Sequence, residues 1–247
     1  MRWGGIKLVP STRAEWRQVF GAHEVIVAST LDEDKDAWVT VSYNTAIKEA
    51  TARAWNVDSG KPVWEATFAV VLDPSAPFTS AAVAFAASTG AKQQAVALVV
   101  AAVGKTVVAI SFESGKVKWR TELEDGLQAT LAVDSYGGES ACVLSGTSTV
   151  SRFALADGAK LSPVVLPAGA TAAILHDDLA IVIVDGLVEL VSLVETGIKK
   201  IGVKGTALYP AIAGRILVED SNAGTVVDVA IPTGTVGFSI KVSERQK

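Results

Sequence analysis

One stretch, residues 107–120 (VVAISFESGKVKWR), constrains what this chain can fold into, because it has the pattern of a β-hairpin. We expect a first strand over Val107–Ser111, with alternating side chains on opposite faces. Gly115 lies in the turn, where glycine readily adopts the positive φ of a tight hairpin. The second strand is predicted to place Val117 and Trp119 on one dry face and two lysines on a wet face. A hairpin cannot bury its dry face alone, so such units are expected to stack.

The same pattern recurs along the chain. Residues 54–64 and 109–119 share the frame A-x-[NS]-x-x-S-G-K-x-x-W, and weaker copies without the tryptophan lie at residues 153–161, 191–197 and 229–234. The turn glycines of these five copies are 55, 43, 39 and 37 residues apart. The candidate structural residues of the frame, including the tryptophan of an upstream partial copy, are Trp16, Ala54, Gly60, Trp64, Ala109, Gly115 and Trp119. A hairpin repeated at a period of ~40 residues is typical of β-propeller blades.

We therefore predict an all-β chain that forms an incomplete β-propeller of about five to six four-stranded blades. No linker rich in Gly, Ser or Pro divides the sequence, so residues 1–247 are predicted to form one domain with an incomplete first blade. Hydrophobic content of 49% with 19% charged residues excludes a disordered chain. The alanine-rich runs 81–87 and 95–103 fit a strand or a short buried helix. We favour strands, because turn residues cut both runs short.

Composition also bounds the partners. The net charge of −4, without a Lys/Arg cluster, argues against a nucleic-acid partner. The only cysteine, Cys142, lies in an apolar run and is expected to be a buried, inert thiol. The first seven residues lack an apolar run long enough for a signal peptide, and the uncharged stretch 74–91 is too rich in Pro, Ser and Thr for a membrane-spanning helix.

The candidate reaction centres in the sequence are all incomplete. Asp32, Asp34 and Asp36 alternate as in a calcium loop, but the glycine and the final glutamate of such a loop are missing, so we expect a solvated acidic loop over residues 31–36. His176 lies beside two aspartates, but no second histidine or cysteine stands at ligand spacing. Residues 138–142 resemble half of a nucleophile elbow, with cysteine where the second glycine belongs. The sequence therefore predicts no catalytic, cofactor-binding or metal-ligating residue, and no enzyme.

The repeated frame resembles the blade motif of quinoprotein-type propellers. Dehydrogenases of that type bind pyrroloquinoline quinone and calcium, and they commonly stack the cofactor on a disulfide between adjacent cysteines. A chain with one cysteine cannot form that disulfide. A quinoprotein-like oxidoreductase and a stand-alone propeller scaffold of the periplasmic type remain the alternatives to the interpretation that follows.

A closer likeness is carried by three segments in register. Residues 15–21 (EWRQVFG) resemble the segment "FWRxxLG" of one family, and residues 51–65 resemble its segment "TLRAWN…G…VWE". Residues 108–119 resemble its next blade, "HAVSxxxGEVLWK". That family is the N-terminal lumenal propeller of the largest subunit of the endoplasmic reticulum membrane protein complex. After about residue 120 only the blade rhythm agrees.

The resemblance implies a scaffold without a cofactor, which contacts other subunits of a complex that inserts membrane proteins. It implies a location in the lumen of the endoplasmic reticulum, with attachment to the membrane through the complex. Members carry a signal peptide, a preceding blade and a C-terminal transmembrane helix, and none of these is expected within residues 1–247. A fragment, a truncated gene prediction and a diverged relative would each explain this difference.

Overall fold

The computed structural model describes residues 20–32, 36–72, 81–89, 95–124, 127–133, 140–145, 148–176, 178–193, 197–210 and 214–241. These ranges form twenty β-strands in five four-stranded sheets, in each of which strands consecutive in sequence are neighbours. All strand pairs are antiparallel. We call the sheets blades 1 to 5 in chain order. Within the described ranges, no helix has the length and apolar character needed to cross a membrane.

Each blade is a simple meander, and the strand bounds are as follows. Blade 1 contains β1 (Glu24–Asp32), β2 (Ala37–Asn44), β3 (Glu49–Asn56) and β4 (Pro62–Ala69). Blade 2 contains β5 (Ala81–Thr89), β6 (Ala95–Val103), β7 (Thr106–Ser111) and β8 (Val117–Glu122). Blade 3 contains β9 (Leu127–Val133), β10 (Ser140–Ser145), β11 (Thr149–Ala154) and β12 (Lys160–Val165). Blade 4 contains β13 (Ala170–His176), β14 (Leu179–Val184), β15 (Leu187–Ser192) and β16 (Ile198–Lys204). Blade 5 contains β17 (Ala207–Pro210), β18 (Arg215–Asp220), β19 (Thr225–Ala230) and β20 (Val236–Lys241).

The blades stack face to face, and alternation along each inner strand supplies both interfaces. In β6, Val99 and Ala101 pack against blade 1, whereas Val100 and Ala102 pack against blade 3. A strand that is buried on both faces must be apolar at every position, which explains the uninterrupted run AVALVVAAV. First strands of successive blades contact each other, in the order β1, β5, β9, β13 and β17. The five blades are therefore arranged around a common axis with their first strands innermost, as in a β-propeller.

Several sequence predictions are confirmed. The fold is all-β, and both alanine-rich runs are strands, β5 and β6, rather than helices. Gly115 has a φ of 66°, as the hairpin requires. The weak copies at residues 191–197 and 229–234 end the third strands of blades 4 and 5. Cys142 is fully buried in β10.

The predicted faces of the hairpin at residues 107–120 are wrong in two respects. Every residue of β7 is buried, because blades 1 and 3 cover its two faces, so this strand has no wet side. A β-bulge pairs Ala109 with Trp119 but Ile110 with Val117, which shifts the alternation by one residue. Trp119 is therefore buried, whereas Val117 is exposed and does not share its face.

Two boundaries also differ from the prediction. The acidic loop predicted over residues 31–36 begins later, because Leu31 and Asp32 belong to β1 and pair with Trp38 and Ala37. The strand predicted near residues 211–218 begins at Arg215. The sequence analysis did not predict β16 or β17, because turn residues and lysines interrupt their apolar pattern.

Candidate functional site

The contact that repeats between blades joins a bulky side chain to a turn glycine. Trp64, on β4 of blade 1, packs on Gly115, which lies in the turn between β7 and β8 of blade 2. A β-carbon at Gly115 would lie 2.7 Å from Cβ of Trp64, so only glycine fits at this position. The indole Nε1 of Trp64 donates a hydrogen bond of 2.6 Å to the carbonyl oxygen of Phe112. We call such an arrangement a joint.

The second joint repeats the first one blade further along. Trp119 of β8 packs on Gly158, in the turn between β11 and β12, and a β-carbon there would lie 2.7 Å from Cδ2 of the indole. The indole Nε1 of Trp119 donates to the carbonyl oxygen of Leu155 at 2.8 Å. In both joints the accepting carbonyl belongs to the residue three positions before the glycine. Each joint thus combines apolar burial with a satisfied indole N–H.

The same register extends to the blades without tryptophan. Each joint side chain stands four residues after the turn glycine of its own blade, which places Ser162, Ile201 and Phe238 at this position in blades 3, 4 and 5. Ile201 packs on Gly234, where a β-carbon would lie 2.7 Å from its Cγ2 atom. At Gly197 no described atom lies within 4 Å of the corresponding point. The joint between blades 3 and 4 therefore lacks its bulky side chain.

The predicted frame residues fall at these joints where the structure describes them. Ala54 and Ala109 lie directly across the sheet from Trp64 and Trp119, where their small side chains leave room for the indoles. Gly60, at a φ of 63°, is buried. Trp16 lies outside the described residues. The sequence analysis missed Ile201 and Phe238, although the spacing from the turn glycine would have identified both.

Filling the joint between blades 3 and 4 should stabilise the protein. Ser162 is exposed, and Ser162→Ile would place there the side chain that blade 4 uses at Ile201. We expect a gain of about 1 kcal/mol from the added apolar burial. The thermal midpoint should then rise by roughly 2–4 °C, as measured by calorimetry. The matched substitution Ser239→Ile, at an exposed position of β20, should change stability by less than about 0.5 kcal/mol, and an equal effect of both would contradict this assignment.

The most extensive polar cluster lies on the face of blade 1 that points away from blade 2. Arg53 forms ion pairs with Glu24 and with Glu65, the latter at 2.6 Å. Ser42 Oγ also donates to the Glu24 carboxylate. Burial alone would raise the pKa of Glu24, but the hydrogen bonds from Ser42, Arg53 and the Gly21 N–H, together with the charge of Arg53, outweigh it and lower that pKa.

The lowered pKa of Glu24 predicts an acid-sensitive contribution to stability. This contribution is complete above the pKa of the unfolded carboxyl, about 4.3, and is lost as the pH falls below it. Glu24→Gln should therefore destabilise the protein by about 1–3 kcal/mol at pH 7, and the difference from the parent should shrink toward pH 3. Urea unfolding at several pH values measures both effects. Glu122→Gln, at an exposed pair with Arg120, should cost less than about 1 kcal/mol at any pH.

The other shifted groups are also paired within single blades. Arg215 Nε donates to Asp228 at 2.7 Å, and this hydrogen bond raises the pKa of Arg215. Lys200 donates to the buried carboxylate of Glu189 at 2.9 Å, which raises the pKa of Lys200. These groups act as structural ion pairs. Among the described residues no group of three or more His, Cys, Asp or Glu side chains is placed to hold a metal ion.

A small cavity of about 150 Å³ lies between β8 and blade 3. Its lining includes Glu122, Glu124, Arg152 and Lys160, and the charges of Glu124 and Lys160 are paired at 3.2 Å. The two histidines, His23 and His176, lie outside this cavity. The described cavity therefore has balanced charge and does not bring together a nucleophile and a base.

Comparison with known proteins identifies the repeat. The family model described as the EMC1 N-terminal beta-propeller domain matches residues 10–207. A search of curated protein sequences finds no significant match.

Solved structures of low sequence identity share the fold. BamB from Moraxella catarrhalis is 14% identical, with a TM-score of 0.52 over 90% of this chain and 66% of its own. The computationally designed Ika8 protein is 17% identical, with a TM-score of 0.50 over 89% of this chain and 62% of its own. KlHsv2 with loop 6CD replaced by a Gly-Ser linker is 10% identical, with a TM-score of 0.52 over 87% and 66%. This chain spans less than two thirds of each of these proteins, and likeness at such identity shows the fold alone.

Proposed function

Because this chain belongs to the EMC1 N-terminal beta-propeller family, we propose that it is a non-enzymatic protein-interaction scaffold of the endoplasmic reticulum membrane protein complex. In this role it contacts other subunits in the lumen of the endoplasmic reticulum and supports the insertion of membrane proteins. The family match over residues 10–207 is the observation that carries the proposal.

The architecture supports a scaffold. Blades buried on both faces and held by joints form a stiff body, because close-packed interfaces transmit strain rather than deform. The loops and outer strands of such a body present a broad surface at fixed geometry. Outer strands β12 and β20 are almost entirely exposed, and β20 carries Phe238 and Ile240 on its surface.

Co-purification tests the proposal directly. The chain, directed to the lumen of the endoplasmic reticulum with a cleavable signal sequence and an affinity tag, should retrieve other subunits of the complex from detergent-solubilised membranes. Quantitative mass spectrometry of those subunits is the measurement, and Trp119→Ala, which disrupts a joint, is the control expected to retrieve less. A folded lumenal chain that retrieves none of the subunits would contradict membership. A spectral change of pyrroloquinoline quinone on addition with calcium would contradict the non-enzymatic role.

A further inference from the structure

Blade 5 has one face that no described blade covers. Ile216, Val218 and Val229 pack against blade 4, so the alternate residues of the same strands point the other way. We call this surface the open face, and its members are Arg215, Val226, Asp228, Phe238 and Ile240.

Exposure sets the open face apart from its equivalents in the other blades. Phe238 is 49% exposed and Ile240 is 55% exposed. Trp64 and Ala66, at the same distances from the turn glycine of blade 1, are 8% and 6% exposed. The difference arises because blade 2 covers the residues of blade 1. The open face therefore has the composition of a joint without its partner.

The open face also offers a polar donor suited to a joint. Where blade 4 has Ile201 in place of tryptophan, Lys199 Nζ donates to the backbone carbonyls of Pro232 and Thr233 in the turn of blade 5, at 3.2 and 3.1 Å. A nearby cation thus replaces the indole N–H. Phe238 likewise has no donor.

Arg215 can supply the missing donor on blade 5. Its guanidinium pairs with Asp228 through Nε and Nη2, and no hydrogen bond of Nη1 is recorded within the described ranges. A β-carbon at Gly237 would collide with this ion pair, so the guanidinium lies beside the residue that precedes Phe238. Nη1 is therefore placed to donate to a turn carbonyl of a further blade.

We propose that the open face of blade 5 binds a further four-stranded sheet of the same blade type. Phe238 packs on the turn glycine of that sheet, Ile240 and Val226 pack on its apolar inner strands, and Arg215 Nη1 donates to a carbonyl of its turn. The occupant follows from continuity with the joints between the preceding blades. The inference rests on the fold and is independent of the proposed function.

A tandem copy of blade 5 provides the test. Gly205 follows its preceding turn glycine by eight residues, and position 242 follows Gly234 by the same number, so residues 205–247 are appended in phase after Lys241. The copy ends in the same open face as the parent. Ile240→Cys in the first copy reports burial through its rate of reaction with a maleimide, because the native Cys142 is fully buried.

In the duplicated chain we expect the thiol at position 240 to react at least about 10-fold more slowly than in the parent chain. Adding Phe238→Asp should restore the parent rate, whereas Ser239→Cys, on the opposite face, should react equally in both chains. Equal rates at position 240 in the two chains would overturn the proposal. So would protection in the parent chain that increases with protein concentration, because a second copy would then be the occupant.

Discussion

Replacing Trp119 by alanine should lower the free energy of unfolding by about 3–5 kcal/mol. The indole is 7% exposed, packs on Gly158 of the next blade and donates to the carbonyl oxygen of Leu155. Its removal leaves a cavity between two blades and an unpaired buried carbonyl. For a chain of this size, the thermal midpoint should fall by roughly 6–20 °C, as measured by calorimetry.

The control lies on the same strand. Val117 is 43% exposed, because the bulge before Trp119 turns its side chain away from the joint. Val117→Ala should therefore change stability by less than about 0.5 kcal/mol. If Trp119→Ala melts within a degree or two of the parent, the tryptophan does not hold blades 2 and 3 together.

Adding one methyl group at Gly158 should be almost as damaging. Gly158 has a φ of 76°, which costs a non-glycine residue about 1–3 kcal/mol. The new β-carbon would also lie 2.7 Å from Cδ2 of Trp119, and such overpacking typically costs a further 1–3 kcal/mol or so. Gly158→Ala should therefore destabilise by about 2–6 kcal/mol in urea unfolding.

Gly186 separates the two causes. It has a φ of 75°, but no described atom lies within 4 Å of the point that a β-carbon would occupy. Gly186→Ala should thus show the backbone cost alone, about 1–3 kcal/mol. If Gly158→Ala costs no more than Gly186→Ala, the indole does not rest on Gly158.

Much of the fold could be predicted from the sequence, because the repeat encodes it locally. A turn glycine at each hairpin and apolar runs bounded by turn residues identify the strands. The two strong copies also place Trp64 and Trp119 at the ends of their hairpins. Local pattern was sufficient here because each blade is a meander of strands that are consecutive in the chain.

The details that sequence could not supply depend on register and on partners distant in the chain. The bulge that separates Val117 from Trp119 has no sequence signature of its own. The ion pair of Glu24 with Arg53 joins the first and third strands of blade 1, across 29 residues of sequence. The burial of β7 on both faces follows only from the placement of blades 1 and 3.

A double-mutant cycle between Trp119 and Gly158 tests the central claim, that a bulky side chain of one blade rests on a turn glycine of the next. Urea unfolding would be measured for Trp119→Ala, Gly158→Ala and the double variant. Because removing the indole also removes the clash, the double variant should be more stable than the sum of the single effects by about 1–3 kcal/mol. Effects that add to within about 0.5 kcal/mol would show that the two residues do not meet, and would contradict the account.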